Sequence, residues 1–147
     1  MDHTVVHFEI PADNPERAVK FYRELFGWDI KKYEGKVAND MDYWMVKTVP
    51  TDERGQSVRP GVNGGIMPRM FPGQAPVNYI AVEEVDQFVQ KGKRLGAKVL
   101  VEKQAVPGMG WFAQLTDPEG NVLAVWQHDP AAGLAGQSAR EASHAGT

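Results

Sequence analysis

His7 and Glu9 stand two residues apart in Val5-Val6-His7-Phe8-Glu9-Ile10. Val6, Phe8 and Ile10 alternate with Val5, His7 and Glu9, a period of two that predicts a strand. The imidazole and the carboxyl then leave the same face, about 7 Å apart along the chain. Such a pair could work as acid and base. It could equally line a wet cleft as a polar pair, which is the reading we prefer because neither group has an evident catalytic partner. His7 alone reads as a strand histidine held by a hydrogen bond, or as one metal donor in need of others.

Several other chemistries are excluded. The chain has no cysteine, so it has no disulfide, thiolate metal site or thiol nucleophile. The glycines of Gly61-Val62-Asn63-Gly64-Gly65 lack the spacing of a phosphate-binding loop. No serine or threonine sits in a nucleophile motif, and no HExxH-like pair exists. The acidic turn Asp117-Pro118-Glu119-Gly120 is too poor in carboxylates for a calcium loop.

The elements that would position His7 and Glu9 follow a repeated order. Pro11 is expected to end the first strand. Asn14-Pro15 reads as an N-cap and a first helical position. Ala18, Val19, Tyr22, Leu25 and Phe26 form an apolar helical stripe that Gly27 stops. Trp28 to Tyr33, Tyr43 to Val49 and glycine-rich Gly61 to Met67 read as strands. After the proline-rich connector Pro68 to Pro76 the order restarts. Val77 to Val82 is a strand. Val85, Phe88, Val89 and Leu95 form a second helical stripe, with Gly96 as its stop. Lys98 to Val101, Trp111 to Thr116 and Asn121 to Gln127 are strands again. The repeat is strand, helix, three strands, twice over.

The last two strands form a hairpin whose turn fixes its register. With Asp117 paired to Asn121, Gln114 opposes Ala124 and Phe112 opposes Trp126. Leu115, Ala113, Leu123 and Val125 then share an apolar face suited to packing beneath a helix. Phe112, Gln114, Ala124 and Trp126 share the other face. Aromatic walls with one amide are what an organic ligand pocket needs, although the same rings could simply close a core.

The chain has 147 residues, 42% hydrophobic and 24% charged, with a formal net charge of -3. That suits one globular domain. A mild negative balance argues against nucleic acid as a partner. The start MDHTVVHFEI carries no secretory signal, and no stretch is apolar enough for a bilayer. A cytoplasmic protein is expected. Residues 1–130 are read as one domain, with modules at about 4–68 and 76–129. Residues 131–147, rich in Ala, Gly and Ser, are read as a disordered tail.

The order and spacing of several short motifs resemble a known family. They are His7-Phe8-Glu9-Ile10-Pro11, Asn14-Pro15-Glu16-Arg17-Ala18, Phe21-Tyr22, Phe26-Gly27-Trp28, Val82-Glu83-Glu84-Val85-Asp86, Leu95-Gly96-Ala97 and Asp117-Pro118-Glu119-Gly120-Asn121. Together, over about Met1 to Asp129, they resemble the vicinal oxygen chelate superfamily, that of glyoxalases, bleomycin resistance proteins and dioxygenases. The resemblance implies an α+β fold of two βαβββ modules whose curved mixed sheets form a cleft. It also implies, for the metalloenzymes, four inward-facing ligands from the first and last strands of each module. His7 matches the first. Val77, Ala124 and the strand Asn63 to Met67 match the others and supply no donor.

We therefore expect no cofactor, no metal and a degenerate metal site. The expected function is binding of a small organic molecule, with Phe112, Trp126 and Tyr79 as aromatic contacts and Gln114, His7 and Glu9 as polar ones. The alternative is a metal-dependent enzyme of glyoxalase or dioxygenase type. The resemblance further implies a homodimer.

Overall fold

The computed structural model describes residues 1–35, 37 and 40–134. The chain forms eight strands and two helices in the order β1 (Val5–Ala12), α1 (Pro15–Phe26), β2 (Asp29–Lys32), β3 (Trp44–Lys47), β4 (Gly64–Pro68), β5 (Val77–Ala81), α2 (Val85–Arg94), β6 (Lys98–Val106), β7 (Gly110–Thr116) and β8 (Val122–His128). This is the α+β class and the duplicated strand–helix–three-strand order expected above. The chain divides into two compact units. The first is Val5–Tyr79; the second comprises Met1–Thr4 and the residues from Ile80 on.

In the first unit β1 runs parallel to β4, with Glu9 opposite Gly65 and Ile10 opposite Ile66. β3 is antiparallel to both β4 and β2. Period-two alternation separates two faces. Ile30, Trp44, Val46 and Ile66 are buried with Val19 of α1 and Ala12, and Phe8 and Ile10 pack against them. His7, Glu9, Met45 and Gly65 have the opposite parity.

Helix α1 starts as its sequence predicts. The Asn14 side chain accepts from the Arg17 amide, Pro15 takes the first turn, and Gly27 ends the helix in the left-handed region at φ 70°. Its apolar stripe is only partly used. Val19 is buried, but Leu25 and Phe26 are each 58% exposed. Phe26 packs its ring beside Trp28 at 5.1 Å, and Tyr22 stacks on Trp28 at 5.2 Å. Trp28, in the link between α1 and β2, thus supplies the aromatic cover for the outer part of the stripe.

Pro11 does not end β1. It continues in register opposite Met67. In a parallel ladder alternate residues direct their backbone groups to opposite neighbours, so a missing N–H need not cost a bond to β4.

In the second unit β7 is the centre of an antiparallel meander with β6 and β8. Trp111, Ala113, Leu115 and Val125 are buried with Val85 and Val89 of α2, and Leu123 packs against them. β6 runs on to Val106, well past the expected Val101. It pairs with β7 through two register irregularities, which let a longer strand follow the ladder. Ala131 to Leu134, read above as the start of the tail, form turns. Ala132 is buried and its carbonyl accepts from the Gly108 amide at 2.8 Å. The rest of that stretch, 135–147, lies outside the described residues. No described helix is long and apolar enough to cross a membrane.

Candidate functional site

A buried polar network lies in the first unit. The alternation of β1 sends the His7 and Glu9 side chains to the same face. Tyr43 comes just before β3, where its carbonyl extends the ladder by accepting from the Tyr33 amide at 2.8 Å. Its ring crosses to β4 and lies on Gly65, the residue paired with Glu9. A Cβ at Gly65 would coincide with that ring. Glycine is therefore required here for close approach, not for its backbone freedom. Tyr79 reaches the same carboxyl from β5.

An ionised Glu9 can only accept, and that sets the direction of each bond. The Tyr79 hydroxyl donates to Glu9 Oε1 at 2.9 Å, and the Tyr43 hydroxyl donates to Glu9 Oε2 at 2.9 Å. His7 Nε2 lies 2.7 Å from the same Tyr43 oxygen. A phenol has one proton, and that of Tyr43 goes to Glu9. His7 Nε2 must then carry a hydrogen and donate it, which assigns the neutral imidazole its Nε2–H tautomer. The rings add shape. His7 lies edge-on to Tyr79, with centroids 5.4 Å apart, and nearly parallel to Tyr43 at 6.3 Å.

Burial sets the electrostatics. Glu9, Tyr43 and Tyr79 are 9%, 5% and 6% exposed. Burial raises the Glu9 pKa, while the hydroxyls of Tyr79 and Tyr43 hold it back. Burial lowers that of His7 to about 4, so the ring is neutral near pH 7. Tyr43 is pushed up by burial and then by the charge of Glu9 beside it. No ion pair of the described residues involves Glu9.

The donor set does not suit a resident metal ion. Among the described residues, no group of three His, Cys, Asp or Glu side chains could hold one. His7 Nε2 is engaged by Tyr43, and each Glu9 oxygen by a tyrosine. The Val77 and Ala124 positions present buried apolar side chains.

The six residues singled out in the sequence fall into two sets. His7, Glu9 and Tyr79 meet in the first unit. Phe112, Gln114 and Trp126 lie in the second, on one face of the β7–β8 hairpin. Its register has Phe112 opposite Trp126 and Gln114 opposite Ala124. Phe112, Gln114 and Ala124 are buried and Trp126 is partly exposed. Phe112 and Trp126 are absent from the core beneath α2. Gly110 leaves room for the Trp126 indole, which lies 2.6 Å from where its Cβ would be. Sequence reasoning missed Tyr43, which it treated only as the first residue of a strand. The signal was Gly64-Gly65: a glycine inside a strand marks a place where something approaches closely.

Comparison with known proteins bears on what such a site serves. Residues 4–125 match the family described as Glyoxalase/Bleomycin resistance protein/Dioxygenase superfamily. A protein of Mycobacterium bovis named "Putative glyoxylase CFP32" is 28% identical over 130 residues, and one of the same name from Mycobacterium tuberculosis matches equally. The match covers 86% of this chain and 45% of either relative, so the chain spans less than half their length. Among solved structures, hypothetical protein BH1468 from Bacillus halodurans C-125 has a TM-score of 0.63 at 11% identity, covering 88% of this chain and 96% of that one. A methylmalonyl-CoA epimerase variant of Streptomyces coelicolor, in complex with 2-nitronate-propionyl-CoA, has a TM-score of 0.62 at 15% identity, covering 86% and 99%. At these identities the likeness is one of fold.

Proposed function

The chain belongs to the Glyoxalase/Bleomycin resistance protein/Dioxygenase superfamily, and from that premise we propose that it binds a small organic molecule directly, without a metal ion. One observation carries the reading. The Glu9 carboxyl is held by two tyrosine hydroxyls beside a neutral imidazole, so the polar atoms are fixed among aromatic rings. Ligand pockets have this composition: mostly apolar and aromatic walls with a few polar groups locked in place. Of the positions matching the superfamily's metal donors, His7 is engaged by Tyr43 while Val77 and Ala124 are buried apolar residues, which supports reading the metal site as degenerate. We propose the Phe112–Gln114–Trp126 face as a second surface contacting organic ligand. The same reading carries a homodimer and a cytoplasmic location.

A metal-dependent glyoxalase- or dioxygenase-type enzyme is the second reading. The neutral ring of His7 favours it, since metals take neutral imidazole, and so does the name of the mycobacterial relatives.

The test uses the full chain, purified without a histidine tag and treated with chelator. Planar aromatic compounds are screened by tryptophan fluorescence, and hits are measured by calorimetry. At least one compound should bind and continue to bind after chelation. A compound held by the Phe112–Gln114–Trp126 face should be weakened by about tenfold or more in Trp126→Ala, from lost contact area alone. The reading fails if no compound binds. Stoichiometric zinc, nickel, iron or manganese in the untreated protein, lost on His7→Ala, would establish the second reading instead.

A further inference from the structure

We propose that the ligand of this site carries a positive charge, an organic ammonium or similar cation that the Glu9 carboxylate neutralises. The inference rests on the binding reading above and adds the chemical class of the ligand.

Glu9 is a buried carboxyl for which the described residues provide no cation. Buried charges are ordinarily paired or bound to metal, because taking an unpaired ion out of water is costly. Among the described residues no side chain pairs with it, and burial works against its charge, yet two hydrogen bonds favour the ionised form against that burial. Two phenolic hydroxyls converge on the two oxygens at 2.9 Å each, and both donate. A carboxylate accepts both bonds without rearrangement. A protonated carboxyl would donate to one of these hydroxyls, which would then have to send its own proton elsewhere; the ionised form keeps both bonds as they stand. The network is thus arranged for a negative charge that nothing in it balances. Each carboxylate oxygen keeps acceptor capacity beyond its single tyrosine bond.

The surroundings suit the same class. The rings of Tyr43, Tyr79 and His7 are grouped around the carboxyl, with His7 edge-on to Tyr79 and nearly parallel to Tyr43. Aromatic faces attract cations, and more strongly where water is excluded. His7 is neutral in this network and does not repel a cation. An anionic ligand would meet Glu9 with no cation among the described residues paired to it to offset the repulsion. Binding a cation also relieves the cost that raises the Glu9 pKa, so it should release protons wherever the free site is partly protonated.

The test compares benzylammonium, benzyl alcohol and benzoate, three ligands with one ring and different charge, by NMR titration of the full chain at pH 8. Benzylammonium should bind at least about tenfold more tightly than benzyl alcohol, because charge-assisted hydrogen bonds are roughly twice as strong as neutral ones. Benzoate should bind most weakly. In Glu9→Gln the ratio of the first two should collapse towards one. A second measurement needs no variant. As pH falls, the wild-type preference should shrink as Glu9 gains its proton. Among the groups facing it, Tyr43 is pushed up by burial and stays neutral, and His7 from β1 acquires a charge only near pH 4, which acts in the same direction. Equal binding of benzylammonium and benzyl alcohol, a preference for benzoate, or a ratio unmoved by both Glu9→Gln and pH overturns the cation inference and leaves the binding reading intact. Failure of all three, together with the whole aromatic screen, overturns both.

Discussion

Gly65→Ala should unfold the site around Tyr43 and lower the melting temperature by about 10 °C. The methyl would occupy the space of the Tyr43 ring. That ring is 5% exposed and packed on β4, so it has no empty volume to move into without leaving its bonds to Glu9 and His7. Overpacking of this kind costs about 1–3 kcal/mol. Stripping one donor from a buried carboxyl adds about 1–3 kcal/mol. A total on the order of 3 kcal/mol corresponds to roughly 10 °C in a domain of this size. Calorimetry on a double-mutant cycle isolates the cause. In a Tyr43→Ala background the ring is gone, so Gly65→Ala should become almost neutral and the two changes strongly non-additive. Additive effects would mean that Gly65 matters for its backbone and that Tyr43 is not held as described.

The hairpin and the β1 pair were legible in the sequence because both follow from local rules. Asp117-Pro118-Glu119-Gly120 makes a turn of fixed length, closed by the Asp117 amide on the Asn121 carbonyl at 2.8 Å with Gly120 at φ 83°. Once the turn is fixed, a period of two assigns every side chain to a face, and Phe112 must oppose Trp126. The same period puts His7 and Glu9 together. None of this depends on contacts far along the chain.

Tyr43 was not legible, for the opposite reason. Its bond to Glu9 spans 34 residues and depends on how β3 enters the sheet. The loop before it, between Lys32 and Trp44, has no periodic pattern to fix its length in space. Nothing local distinguishes Tyr43 from Tyr33. Only the glycine opposite Glu9 hinted that a large ring lies over β4. The exposure of Leu25 and Phe26 escaped prediction similarly. A helical stripe shows which face is apolar but not how much of it a sheet will cover, and here Tyr22 and Phe26 turn to Trp28 instead. Most of the fold rested on periodicity and turn chemistry; the site rests on two tyrosines brought from distant strands.

Between pH 6.5 and about 4, acid should cost the wild type stability relative to a variant with nothing to titrate at His7. The folded pKa of His7 is lowered from 6.5 to about 4, because burial disfavours the charged ring. In that window the unfolded chain takes up a proton that the folded chain refuses. Stability therefore falls as pH falls, beginning near the unfolded value and levelling off below the folded one. The limiting contribution is about 3 kcal/mol. Glu9 works in the reverse sense. Its pKa is raised by burial, so the folded state holds a proton the unfolded state has released, and stability from this group is lost as pH rises from 4.5. The two slopes oppose one another wherever their windows overlap, so the histidine is read from the difference between wild type and a variant that keeps Glu9. His7→Gln retains an amide that can donate to Tyr43 and has nothing to titrate. Urea unfolding at intervals from pH 7 to pH 4 should show wild type losing more stability than His7→Gln, by up to about 3 kcal/mol. Parallel curves for the two proteins would show that His7 is not buried as a neutral ring, and the tautomer assigned from Tyr43 would fall with it.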